Sequence, residues 1–203
     1  MYKHSVIIAV LLLTAYSAIC QQGSKSVELN YTVGIPTGNF KNLTDKTSFR
    51  GFEVAYLFGI TDQISLGLQI GFQDFYQKYP RQTYSEPGYD LSAVITSSVQ
   101  TVPIMLKAKY ILSANGFLQP YASFAAGGNI ISYEKYYGEF VDSKTSFGFA
   151  AQPELGIHIP FGKGKRSGFH VAAGYNYMPF TFNDANGLRH ALVKAGVSIE
   201  VND

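Results

Sequence analysis

A chain of 203 residues with 15% charged residues and a net charge of +2 fits one domain and carries no basic footprint for nucleic acid. Fifteen Tyr, fifteen Phe and twenty Gly with no Trp point to close-packed strands. The single cysteine, Cys20, excludes an internal disulfide.

The N-terminus reads as an export signal. Lys3 and His4 form a short positive start, residues 6–15 are apolar, and Ala18-Ile19-Cys20 places small residues at −3 and −1 of a cut before Gln21. The apolar run is too short for a spanning helix, which needs ~20 residues. Residues 1–20 are therefore expected to be a cleaved secretory signal and residues 21–203 the mature domain. Lipidation of Cys20 is the other reading, and Ile19 at −1 fits it poorly.

Thereafter the chain alternates between large apolar and small or polar residues with period two, the mark of strands with one apolar face. The first strand sets Val27, Leu29, Tyr31, Val33 and Ile35 against Glu28, Asn30, Thr32 and Gly34, and Pro36-Thr37-Gly38-Asn39 ends it. A polar loop to Lys46 leads to a hairpin. Its arms present Phe52, Val54, Tyr56, Phe58 and Ile60, then Ile64, Leu66, Leu68, Ile70 and Phe72, opposite Glu53 and Gln69. The longest loop, residues 77–92, follows. The fourth strand, clearest over residues 102–112, opposes Ile104, Leu106 and Tyr110 to Lys107 and Lys109. The fifth opposes Ala122, Phe124, Ala126 and Ile130 to Tyr121, Ser123 and Asn129. A loop at 137–144 precedes the sixth, where Phe147, Phe149, Leu155, Ile157 and Phe161 face away from Gln152, Glu154 and His158. The seventh sets Phe169, Val171 and Tyr175 against His170 and Asn176. After a loop at 183–187 the eighth sets Val193, Val197 and Ile199 against Lys194 and Ser198.

Eight strands of roughly 9–12 residues match what a tilted strand needs to cross a bilayer. The face opposite the apolar stripe decides its direction. It holds Gly, Ser, Gln, Asn and Ala with scattered charges, where a water-facing surface would be rich in Lys and Glu. The apolar face is thus expected to meet lipid, and the polar face to line a narrow lumen where charges of both signs pair. The lumenal set is Glu28, Glu53, Gln69, Lys107, Lys109, Gln152, Glu154, His158, His170 and Lys194. Two aromatic girdles support this direction: Tyr56, Phe58, Tyr110, Phe161 and Phe169 at the inner ends, and Phe72, Tyr76, Tyr133, Phe147, Phe149 and Tyr177 at the outer ends.

The chain resembles the small outer-membrane β-barrel domain family, which includes the OmpA-, OmpX- and OmpW-type barrels. The resemblance rests on Val33-Gly34-Ile35-Pro36-Thr37-Gly38-Asn39-Phe40, on Val102-Pro103-Ile104 with Lys109-Tyr110, and on Pro120-Tyr121 with Gly127-Gly128. It implies an all-β, eight-stranded, antiparallel up-and-down transmembrane β-barrel in the cell outer membrane. Outer-membrane lipid and the barrel-assembly machinery are the implied partners. Such barrels usually end on an aromatic residue, whereas this chain ends Ile199-Glu200-Val201-Asn202-Asp203.

No catalytic residue, metal or cofactor is expected. Glu154 and His158, four apart on one strand, lie ~13 Å from each other, too far for an acid–base pair. The sequence contains no Gly-x-Ser-x-Gly and no phosphate-binding loop. Contact with an extracellular ligand is expected through loop 77–92, which carries Tyr79, Arg81, Tyr84 and Tyr89. A structural or surface-binding role is the leading expectation, with a narrow channel or a lateral path for small molecules as the alternative.

Overall fold

The computed structural model describes residues 24–86, 89–93, 95–113, 116–137, 140–161, 167–182 and 185–201. The expected signal, residues 1–20, lies outside them. The strands are β1 (Lys25–Thr37), β2 (Ser48–Gly59), β3 (Ile64–Lys78), β4 (Gln82–Glu86), β5 (Tyr89–Ala93), β6 (Ile95–Ile111), β7 (Gln119–Tyr137), β8 (Phe140–Pro160), β9 (Gly168–Phe182) and β10 (Ala185–Val201). Eight of them close into an antiparallel barrel, with β1 pairing both β2 and β10, while β4 and β5 form a separate hairpin. A 3-10 helix, Gly38–Asn42, follows β1.

Alternation within each strand sorts the side chains. Leu29, Val54, Leu68, Ile104, Phe124, Leu155, Val171, Val193 and Ile199 are exposed on the outer face, and Leu106 is 70% exposed. Glu28, Glu53, Gln69, Lys107, Glu154, His170 and Lys194 are buried inside. A water-soluble barrel has the opposite arrangement, so this outer face requires an apolar solvent. Exposed aromatics stand at both ends of the belt. Phe58, Tyr110, Phe161 and Phe169 lie near the chain termini, and Tyr76, Phe147, Phe149 and Tyr177 lie at the far end. The expected girdle loses Tyr133, which is 5% exposed and points into the lumen.

Following paired residues around the wall gives the stagger. Val27 pairs Tyr56, then Leu68, Leu106, Ala126, Ala151, Tyr177 and Arg189, and the path returns to β1 at Thr37, ten residues above its start. An eight-stranded barrel with this stagger is tilted by about 35–45° and narrow enough for side chains to fill it.

The far end differs from the expected loops. The barrel strands span 12 to 21 residues because β3, β6, β7 and β8 continue beyond the apolar belt. Loop 77–92 is largely strand: β3 runs to Lys78 and the β4–β5 hairpin stands above it. Most of the expected loops at 137–144 and 183–187 also belong to strands. The physical reason shows in the alternation, which changes phase where the wall leaves lipid. In β7, Ile130 faces out, but Ile131 and Tyr133 face in while Ser132 and Glu134 face out. In β3, Phe75 is fully buried beside the partly exposed Asp74. Above the belt the outside is water, so the apolar residues move inside.

One seam is incomplete. The β8–β9 ladder stops at Ala151↔Tyr177. Residues 146–150 of β8 pair only with β7, and the paired residues of β9 beyond Tyr177 face only β10.

Candidate functional site

The lumen holds two layers. Nearest the termini lies an ionic cluster to which every barrel strand contributes. Lys194 Nζ sits 2.5 Å from Glu53 Oε1 and 2.5 Å from Glu154 Oε2. Lys107 Nζ reaches Glu28 at 3.2 Å, Glu154 at 3.6 Å and Glu53 at 3.7 Å. Lys109 Nζ donates to Glu28 at 2.6 Å and lies 4.2 Å from the Tyr121 ring centroid. Three carboxylates thus meet three ammonium groups, all buried.

Neutral groups complete the shell. Gln152 Nε2 donates to Glu53 at 3.0 Å and to Glu154 at 3.3 Å, and its carbonyl accepts from Gln69 at 3.2 Å. Tyr121 donates to Glu154 at 3.2 Å. Asn30 donates to Glu53 at 3.4 Å, and its side-chain oxygen meets His170 Nε2. Such pairing satisfies charges that would otherwise be prohibitive to bury. Cross-strand partners put His158 opposite His170, with ring centroids 6.4 Å apart.

All ten expected lumenal residues are therefore inside. Nine join one network, and His158 sits beside it. Sequence reasoning placed Asn30 and Tyr121 on the inner face but did not see them as partners of these charges. Among the described residues, no group of three His, Cys, Asp or Glu side chains could hold a metal ion. Glu154 is occupied by two lysines, a glutamine and a tyrosine, an arrangement that fixes a charge and leaves no free base.

The second layer is apolar and was not anticipated. Phe40, Phe75, Val99, Met105, Ala125, Ile131, Tyr133, Ala150, Met178 and Leu188 form a buried cluster, with Leu43 packed against it. Phe40 comes from the 3-10 helix. Gly38, at φ +58°, turns the chain back into the barrel mouth. The Phe40 ring meets Phe75 edge-on at 4.8 Å, and Phe75 meets His190 at 5.0 Å. Phe40 and Leu43, the apolar residues in an otherwise polar segment, are the sequence signal for this plug. Between the layers lies a cavity of about 20 Å³, lined in part by Thr32, Gln73, Asn176 and His190, with room for about one water.

At the far end, Tyr79 and Arg81 lie between β3 and β4, with Arg81 exposed. The side chains of Tyr84 and Tyr89 lie outside the described residues. Arg50 pairs Asp74 at 3.3 Å and stands 5.1 Å from the Tyr76 ring. Tyr136 donates to Glu134 at 2.7 Å, which holds the phenol pKa above its usual value.

Comparison with known proteins agrees with this geometry. The solved structure of Ail, the attachment invasion locus protein of Yersinia pestis, matches with a TM-score of 0.51 at 13% identity, covering 88% of this chain and 100% of Ail. Neisserial surface protein A matches with a TM-score of 0.50 at 14% identity, covering 88% of this chain and 96% of that one. At these identities the likeness concerns the fold. No curated protein sequence matches the chain. Residues 6–200 match the family described as outer membrane protein beta-barrel domain. With lipid outside, an ion-paired lumen and eight closed strands, the chain belongs to that family and is a β-barrel of the bacterial outer membrane.

Proposed function

We propose that the protein is a non-catalytic surface barrel, closed along its axis, whose outer wall engages an extracellular partner. The observation that carries the reading is the double occlusion of the lumen by the Glu–Lys cluster and by the Phe40 plug. In outer-membrane barrels the short turns face the periplasm and the longer connections face outward. Residues 60–63, between β2 and β3, are such a turn. On this orientation the extensions of β3, β6, β7 and β8 and the β4–β5 hairpin project from the cell. They carry Tyr79, Arg81 and Tyr136, with Tyr84 and Tyr89 on the hairpin. Lipid surrounds the belt, and the barrel-assembly machinery is the partner for insertion.

Planar-bilayer recording tests the reading. The folded protein is expected to show no stable conductance, and deletion of residues 82–93 is expected to leave the folded barrel intact while abolishing cell adhesion to protein- or glycan-coated surfaces. A steady open channel altered by Lys107→Met or Glu154→Gln would overturn it. That outcome would favour the second reading, a narrow path for small molecules, which draws on the cavity beside Gln73 and His190.

A further inference from the structure

The β3–β6 ladder is interrupted where the lumen holds its cavity. Pairing skips from Ile70↔Ile104 to Gln73↔Thr101, so Gly71 and Pro103 stand opposite one another outside the ladder. Their orientation follows from their neighbours. The Ile104 carbonyl crowds the point where a Gly127 side chain would begin, so Ile104 faces β7. Successive residues of a strand direct their N–H and C=O to opposite sides, and Pro103 therefore faces β3. The Phe52 carbonyl lies 3.7 Å from the same point on Gly71, which makes Phe52↔Phe72 the bonded pair with β2 and turns Gly71 toward β6. Proline has no N–H, so the Gly71 carbonyl loses its ladder donor. Glycine at this position also makes room for the proline ring, whose Cγ is 3.2 Å from where a side chain would begin.

Neither side of the wall replaces that donor. Outside, Ile70 and Ile104 are exposed to hydrocarbon, which offers none. Inside is the cavity of about 20 Å³, lined in part by Gly71, Pro103, Thr32, Gln73, Asn176 and His190. The donors around it are committed. Thr32 donates to the Gln73 side-chain oxygen at 2.9 Å, and Gln73 Nε2 donates to Ser48 Oγ at 2.7 Å. The Thr101 hydroxyl reaches the Gln73 carbonyl at 3.5 Å, and Gln152 Nε2 serves Glu53 and Glu154. Asn176 Nδ2 and His190 Nε2 meet at 3.3 Å. Among the described residues, Asn176 Oδ1 and His190 Nδ1 are buried without a hydrogen-bond partner.

We propose that the cavity is a binding site for one structural water, which donates to the Gly71 carbonyl in place of Pro103 and takes its other bonds from the Asn176–His190 pair. The occupant has to donate, because the surrounding donors are spent and the carbonyls are not. A cavity of this size admits one water and no larger solute. The site is independent of the surface-binding reading, since it completes the wall rather than the far end.

Proton-detected solid-state NMR of the folded protein in phospholipid bilayers tests the proposal. At short mixing times, magnetisation from water is expected to reach the Gly71 Cα protons and the Asn176 side-chain amide. The Leu68 and Leu106 amides, in a fully paired part of the same ladder, should receive none. Pro103→Val supplies the missing N–H and should abolish transfer to Gly71 while the heat-dependent gel shift persists. Asn176→Leu fills the cavity from β9 without touching the ladder and should abolish it too. No transfer to Gly71 in the wild type would overturn the proposal, as would transfer that survives in either folded variant. A Gly71 carbonyl shift that follows replacement of Na⁺ by K⁺ would assign the site to a cation and overturn it as well.

Discussion

Lys194→Met is the most discriminating change in the lumen. The ammonium lies 2.5 Å from Glu53 and 2.5 Å from Glu154, and its removal leaves three buried carboxylates facing two lysines. At an effective dielectric of about 20, each 2.5 Å contact carries about 6–7 kcal/mol of gross attraction. Most of that is offset by the desolvation of Lys194 and by the repulsion between the carboxylates it bridges. Lys107 still reaches both at 3.6–3.7 Å, and Gln152 still donates to both. The expected net loss is about 3–5 kcal/mol, the range for one partner removed from a buried pair. Adding Glu53→Gln restores the balance at two against two and should bring stability back to within about 1 kcal/mol of wild type. The assay is reversible urea unfolding in thin-bilayer vesicles, followed by far-ultraviolet circular dichroism and the heat-dependent gel shift, because the chain has no Trp to report. A loss under about 1 kcal/mol for the single variant, or simple addition of the two single losses in the double, would refute the reasoning.

Three further outcomes follow from the same structure. Leu106→Lys, on the lipid face near mid-belt, should cost about 2–4 kcal/mol in vesicles, against about 0–1 for Leu118→Lys at the rim nearest the chain termini, and equal effects would invert the face assignment. Phe40→Ala should remove about 3–5 kcal/mol and strip hydrogen-exchange protection from residues 38–44, which unchanged protection would contradict. Arg50→Ala, whose side chain is 64% exposed in its ion pair with Asp74, should change unfolding by less than about 1 kcal/mol, and a larger shift would show that the rim pair is shielded from solvent.

The barrel was legible because a strand in lipid must alternate, and Ile64, Leu66, Leu68, Ile70 and Phe72 do so without a break. The inner residues could be named for the same reason. Their partners could not, because Lys194 and Glu53 stand 141 residues apart and meet only through the ten-residue stagger of the whole wall. The upper lumen was missed for a related reason. One continuous phase does not describe the alternation, which switches at Ile130-Ile131 and near Asp74-Phe75. That switch marks where lipid gives way to water, and it was present in the sequence. The incomplete β8–β9 seam was not legible, because periodicity places a residue on a face but does not say where its neighbour stops pairing.

The ionic cluster also bears on how the barrel is made. Its bonds join residues 79, 81, 99 and 141 apart, and the last links β2 to β10. Glu28 on β1 and Lys194 on β10 flank the pair of strands that closes the cylinder. Until β10 joins, Glu53 and Glu154 lack Lys194 and have only Lys107 and neutral donors as partners. Late-forming contacts of such long separation slow folding and make it all-or-none. A sheet halted one strand short would carry three glutamates against two lysines, an excess charge that hydrocarbon disfavours, so the charges inside the finished barrel act as a checkpoint on its completion.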